Sequence, residues 1–204
     1  MRTPPLFALA FIALTAAAQH FPPDTGTQPP PANTLAPIPT ARAADTYAIY
    51  SLLIPGAPSD KIANTPTQNW VMADTTINIT DMNPAVPPNG ELKAPPENNR
   101  AFNDALHDFS TRQYQRFRLD PDSFHPRRPL PVIDEHQVSD RRSSGDPHSG
   151  IVFFSAVYFN PAQTAALVYV NDWCANLCAA GQWVYLEKQN GQWVRRSGLL
   201  AKGA

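Results

Sequence analysis

The sequence predicts an α+β domain. An antiparallel β-meander of about four to five strands packs against one or two helices, behind a disordered proline-rich N-terminal tail. Three observations carry this. Gly150 to Ser197 is a series of apolar runs broken by turn residues at short, regular spacing. Glu97 to Phe117 repeats its apolar residues at helical spacing. Residues 19–44 are crowded with proline, from Pro22-Pro23 through Pro29-Pro30-Pro31 to Pro37 and Pro39. Proline fixes φ and removes backbone donors, so that stretch reads as extended, solvated chain.

The first eighteen residues read as an export signal. Arg2 supplies positive charge, Leu6 to Leu14 is apolar, and Ala16-Ala17-Ala18 fits a small-residue cleavage site. At about 1.5 Å per residue, Leu6 to Ala18 spans only about 20 Å of helix, short of the roughly 30 Å of a bilayer core. The expectation is a cleaved signal peptide over residues 1–18 and a tail over 19–44. A single globular domain follows over 45–200, exported to the periplasm or beyond, with no transmembrane span after cleavage. No cysteine follows the apolar run, so lipoprotein attachment has no support.

Within the domain, Asp45 to Ile54 suits two readings. Tyr47, Ile49, Tyr50 and Leu53 fit a helix face with Asp45 or Thr46 as cap and Pro55-Gly56 as stop. The same residues also suit a buried strand; the helix is favoured. Gly56 to Gln68 reads as loop. Asn69 to Ile79, rich in β-branched residues, reads as a strand. Asp81 to Pro96 is broken by prolines and reads as loop. Glu97 to Phe117 is the best helix: Pro95-Pro96 precede it, Glu97 places negative charge in its first turn, and Phe102, Leu106, Phe109, Gln113 and Phe117 form its stripe. Leu119 to Ser149 is a long polar loop, with room for one short strand through Leu130, Val132 and Ile133.

The meander begins with Ile151 to Phe159, nearly all apolar and therefore central. Thr164 to Val170 forms the second strand. Gln182 to Lys188 and Gln192 to Ser197 form a hairpin on Asn190-Gly191, the pair that type I′ turns prefer. A two-residue loop sets Gln189 against Gln192, Lys188 against Trp193, Glu187 against Val194, Leu186 against Arg195 and Tyr185 against Arg196. Aromatic rings beside long cationic stems suit an edge hairpin, and packing is a sufficient use for them.

This C-terminal run resembles a group of uncharacterised exported bacterial proteins. The likeness lies in Ser149 to Ile151, in Ser155 to Asn160, in Ala166 to Val170, in Cys178, Gly181 and Trp183, and in Asn190 to Val194. These are strand and turn motifs over about a quarter of the chain. They imply an exported domain and nothing catalytic.

Candidate chemistry is sparse. Cys174 and Cys178 are the chain's two cysteines, and in an exported protein their proximity favours a disulfide. The C-x-x-x-C spacing departs from the C-x-x-C of thioredoxin-like sites. Asp134, Glu135, His136, Asp140, Asp146 and His148 crowd the polar loop and are of the right types for a metal, but they match no metal-binding spacing. Neither metal nor cofactor is therefore expected. Ser143, Ser144, Ser149 and Ser155 sit in no nucleophile elbow, and Ser155 reads as a small packing residue. His107 lies off the helix stripe and is expected in solvent. A formal net charge of −1 points away from nucleic acid; the basic pairs Arg127-Arg128 and Arg141-Arg142 remain able to grip a carboxylate or phosphate. The partner is otherwise unassigned. The functional expectation is a non-enzymatic binding or structural domain. The alternative is a small exported hydrolase using residues 119–149.

Overall fold

A computed structural model describes residues 35–54, 69–82, 85–126, 130–146, 149–174 and 178–200, with the backbone alone at Cys178 and Ala179. The expected signal peptide, the tail as far as residue 34, the loop 56–68, Arg127-Arg128 and His148 lie outside these residues.

In chain order the elements are α1 (Thr40–Leu53), β1 (Asn69–Ala73), α2 (Pro88–Glu91), α3 (Asn99–Arg112), β2 (Val132–Ile133), α4 (Glu135–Ser143), β3 (Ser149–Phe154), β4 (Tyr158–Phe159), β5 (Ala165–Cys174), β6 (Cys178–Gln189) and β7 (Gln192–Arg195). The strands form one seven-stranded sheet in the order β2-β1-β3-β5-β6-β7, with β4 also paired to β5. The α+β class stands, but the sheet is mixed. β1 runs parallel to both β2 and β3, while β3 through β7 pair antiparallel. β2–α4–β3 is a crossover between the two parallel strands that flank β1.

The segment from Asp45 to Ile54 settles as helix, not strand. Thr46, Tyr47, Ile49 and Tyr50 are buried, at the spacing of one helical face. The folded chain also starts earlier than Asp45. The helix begins at Thr40, Ile38 is buried, and the Ala36 carbonyl accepts the Arg118 N–H. Residues 36–44 therefore belong to the domain and not to the tail.

α3 begins after a 3₁₀ turn at Pro96–Asn98 and stops at Arg112, short of the expected Phe117. Phe102, Ala105 and Phe109 are its buried face. Beyond it the chain runs out to meet the segment after β1: Thr76 N–H donates to Phe117 O, Phe117 N–H to the Thr76 hydroxyl, and Leu119 N–H to Asp74 O. Those bonds take the place of further helical turns. Phe117 is buried through this pairing, not through a helix stripe. The same pairing ends β1 at Ala73 rather than Ile79.

The expected strand Ile151 to Phe159 divides into β3 and β4, both paired to β5. The division is made by Ser155, which is fully buried. Its N–H donates to Tyr169 O, its Oγ accepts the Tyr169 N–H and donates to Ala156 O, and its carbonyl accepts the Tyr50 hydroxyl. The hydroxyl thus satisfies ladder groups that the kinked backbone leaves open.

The sheet is covered on both faces. Tyr50 of α1 stacks on Phe154 with ring centroids 4.5 Å apart. From the other side Phe102 and Phe109 of α3 meet Tyr185 and Trp183 edge-on at 5.3 Å. The hairpin pairs in the expected register, from Gln189 opposite Gln192 to Leu186 opposite Arg195, and Arg196 N–H donates to Tyr185 O. Asn190 and Gly191 have φ of 50° and 80°, the two positive values a type I′ turn demands.

Two glycines make room for aromatic rings. A Cβ at Gly150 would sit 2.6 Å from the Trp70 ring, and one at Gly181 would sit 1.7 Å from the Tyr169 hydroxyl oxygen. Tyr169 is fully buried, so its ring has nowhere to retreat. Gly181→Ala should cost about 1–3 kcal/mol, read as a lower urea midpoint with an unchanged slope.

Candidate functional site

The polar segment that sequence marked for function is better ordered than a loop. Asp134 is the N-cap of α4: its carboxylate accepts the Gln137 N–H at 2.8 Å, and the Gln137 side-chain oxygen accepts the Asp134 N–H at 3.1 Å. The Asp-x-x-Gln spacing that signals this capping box is present in the sequence. Glu135 opens the first turn, 4.0 Å from the Arg116 guanidinium. His136 is 85% exposed and faces Asp140 one turn on, at 3.6 Å. Asp146 lies past the other end of α4, where its carboxylate accepts the Ser149 hydroxyl. A nine-residue helix is roughly 14 Å long, so Asp134 and Asp146 stand well apart. These residues do not converge. Among the described residues no group of three or more His, Cys, Asp or Glu is placed to hold a metal ion.

One residue that sequence passed over joins Asp134 and Glu135. Asp74, just beyond β1, is buried and accepts from Arg118 at 2.7 Å, while its second oxygen is buried without a partner. Burial raises its carboxyl above the ordinary range, Arg118 opposes that, and the charges of Asp134 and Glu135 add to the rise. Asp108 of α3 is its converse. It accepts from Arg42 at 2.7 Å, from Arg112 at 2.9 Å and from the Phe159 N–H at 2.9 Å. Burial alone would raise Asp108, but the bonds from Arg42 and Phe159 and the Arg112 charge outweigh it and hold the carboxyl below its usual range.

A concave surface lies elsewhere, over α1. A groove of about 810 Å³ runs along the outward face of this helix, within the roughly 300–1,000 Å³ of ligand pockets. Ala44, Ala48 and Leu52, spaced four apart, form its floor. Gly191, Gln192 and Trp193 of the hairpin form one wall, and Asp122, Ser123 and His125 the other.

Both walls are fixed to the floor. Asp45 accepts the Trp193 indole N–H at 2.8 Å and pairs with Lys188 at 2.7 Å, whose ammonium lies 4.9 Å from the Trp193 ring centre. On the far side the Asp120 N–H donates to the Tyr47 hydroxyl at 2.7 Å, and the His125 N–H donates to the Ser51 hydroxyl at 3.1 Å. Phe124 packs edge-on against Tyr47. Asp120 in turn caps the Pro121–Ser123 turn, accepting from the Asp122 N–H and the Ser123 hydroxyl. The groove is therefore preformed. Ser51, Ser123, His125 and Asp122 are residue types that hydrolases use, yet Ser51 accepts from backbone and Ser123 donates to Asp120. Among the described residues no hydrogen bond joins the His125 imidazole to a serine.

The remaining expected residues have structural places. His107 is exposed, as its position off the stripe implies. Cys174 is buried and stands directly opposite Cys178 in the β5–β6 register. Opposite residues in an antiparallel ladder have Cα atoms roughly 4.5–5.5 Å apart, inside the span a disulfide requires. Comparison with family models, curated proteins and solved structures returns no match.

The two carboxylates predict opposite responses to acid. Asp108 titrates lower in the folded chain than in the unfolded one. Its contribution is present above about pH 4 and lost as pH falls through the depressed folded value. Asp108→Asn should lose about 3 kcal/mol at neutral pH and flatten the fall of Tm between about pH 5 and pH 2. Asp74 titrates higher when folded. Its contribution is complete below about pH 4 and lost as pH rises through the raised folded value. Asp74→Asn should hold or raise Tm at neutral pH relative to the parent. Melts recorded across this range check both.

Proposed function

We propose that this protein is an exported, non-enzymatic domain that binds another molecule in the groove over α1. The observation that carries the reading is the groove itself: a concave surface of about 810 Å³ whose two walls are each tied to its floor by hydrogen bonds. Such preorganisation lowers the ordering cost of binding. Export is supported by the signal-like residues 1–18 and by the likeness of the C-terminal run to exported bacterial proteins. Among the described residues no helix is long and apolar enough to cross a membrane. A Cys174–Cys178 disulfide belongs to the same reading, since the register sets the two residues opposite each other and exported proteins meet oxidising conditions.

Intact mass of the protein recovered after export tests the address and the bridge together. The expected species begins at Gln19 and is lighter than the reduced chain by two hydrogens. Recovery of the full-length chain with two titratable thiols overturns both parts.

Binding is tested by a fragment screen monitored by NMR. Shifts should concentrate on the backbone amides of Ala44, Ala48 and Gln192 and on the Trp193 indole N–H. Ala48→Arg, an exposed substitution that fills the floor, should abolish them. Shifts confined to another surface overturn the site. The co-location of Ser51, Ser123, His125 and Asp122 gives the hydrolase reading its one support; turnover of ester or peptide substrates that is lost in His125→Ala would replace the binding reading with it.

A further inference from the structure

We propose that an extended segment of a partner protein adds to the outer edge of β7 as a further strand of the sheet, with every second side chain directed to the groove over α1; this rests on the reading of that groove as the binding site.

β7 ends the sheet order, with β6 on one side and no strand among the described residues on the other. In an antiparallel pair, successive residues alternately bond the partner strand and turn their backbone groups away from it. The Arg196 N–H donates to Tyr185 O, and the register sets Val194 opposite Glu187 and Gln192 opposite Gln189. Those three residues bond to β6, so the N–H and C=O of Trp193 and Arg195 point outward. Among the described residues no hydrogen bond reaches these four groups. The fold does close the same edge farther along β6, past the end of β7. There the outward Trp183 N–H donates to the Glu91 carboxylate at 3.2 Å, and the Trp183 indole N–H donates to Val86 O at 2.7 Å. The edge is closed at Trp183 and left open along β7. Outward donors and acceptors repeating about every 7 Å are the complement of an extended polypeptide backbone.

The groove lies on the side that such a strand would address. Trp193 stands opposite Lys188, and Asp45 of α1 accepts from both, so the Trp193 side chain lies on the α1 face of the sheet. A residue paired with Trp193 directs its own side chain to that face, where Ala44, Ala48 and Leu52 floor the groove. The residues between point the other way. Two methyl groups and a leucine 44% exposed favour apolar side chains at these alternate positions. Valine meets both demands, being apolar and suited to an extended backbone.

A second copy of β7 would fit the edge but not the groove. The residues it would direct to the α1 face are Trp193 and Arg195. Both are engaged within their own chain, Trp193 with Asp45 and Arg195 with Gln182. A partner's segment brings side chains without those commitments.

The test uses the full chain and hydrogen exchange at the Trp193 and Arg195 amides. In the free protein both should exchange faster than the Val194 amide, which bonds to β6. A blocked Ser-Val-Ser-Val-Ser peptide should slow both and shift the Trp193 indole N–H. The same peptide N-methylated at both valines keeps its side chains but loses those donors, and should bind at least about tenfold more weakly. Arg195→Pro removes one outward donor at an edge position that tolerates proline and should weaken the peptide about fivefold. Arg195→Ala keeps the N–H and should bind as the parent does. Should Arg195→Pro not fold, the N-methylated peptide on the parent protein decides. Trp193 and Arg195 amides already protected in the free protein overturn the proposal, because the edge is then covered. Protection that rises with protein concentration alone assigns the edge to a second copy and overturns the partner. Equal binding of the two peptides, with shifts at Ala44 and Ala48, overturns strand addition and leaves the groove standing. Slowed β7 amides that persist in Ala48→Arg sustain the added strand and overturn the groove reading.

Discussion

The Asp108 carboxylate is the constraint on which the arrangement of this fold turns. It receives a guanidinium from α1, a guanidinium from its own helix one turn away, and a backbone N–H from β4. Its side chain is only 14% exposed, so its charge is held largely out of water, and a carboxylate so placed is tolerable only when its acceptor sites are filled. The two arginines do more than neutralise it. Arg42 lies 5.8 Å from the Phe159 ring centre and Arg112 the same distance from that of Tyr158, and Arg112 also donates to the Val157 carbonyl. One carboxylate therefore fixes where α1, on one face of the sheet, meets α3, on the other, at the short strand between them. The position of α1 fixes the floor of the groove, so the candidate site inherits its geometry from a charge it does not contain.

Ser155 plays the complementary part at the centre of the sheet. An unbroken strand from β3 through β4 would have no reason to turn where it does. The buried hydroxyl replaces a ladder partner, and its carbonyl takes the Tyr50 hydroxyl from α1. This break comes where the segment after β1 draws alongside: the Ile77 N–H donates to Phe154 O. The parallel half of the sheet and the antiparallel half are joined there by small polar groups rather than by apolar area alone. Burial of Ser155 needs no catalytic explanation, because each of its polar atoms is engaged.

What was legible in the sequence was local. Asn190-Gly191 determines a turn type, and the turn type sets the pairing of β6 with β7 residue by residue. The stripe through Phe102 and Phe109 marks α3 because helical spacing is a property of neighbours. The boundary at Arg112 was not legible, since what ends the helix is a hydrogen bond to residues more than thirty positions earlier. α4 carried a readable signal in Asp134 and Gln137, masked by a polar composition that also suits a loop. The parallel pairing of β1 depended on recognising that helix as a crossover. The groove is assembled from segments near residues 45, 122 and 192, and no window along the chain contains it. Trp193 read as packing and does pack, yet the hydrogen bond that packs it also builds a wall.

The hairpin tip has a consequence for how this surface can diversify. β6 is held by its pairing with β5, and Lys188 and Trp193 by the Asp45 tie, and these contacts do not involve the two turn residues. Residues inserted between Gln189 and Gln192 would lengthen a rim without asking the interior to repack, since loop closure becomes costly only slowly with length. Selectivity at this groove is in that sense separable from foldability. A library confined to the tip would explore partners while the scaffold beneath it stays the same.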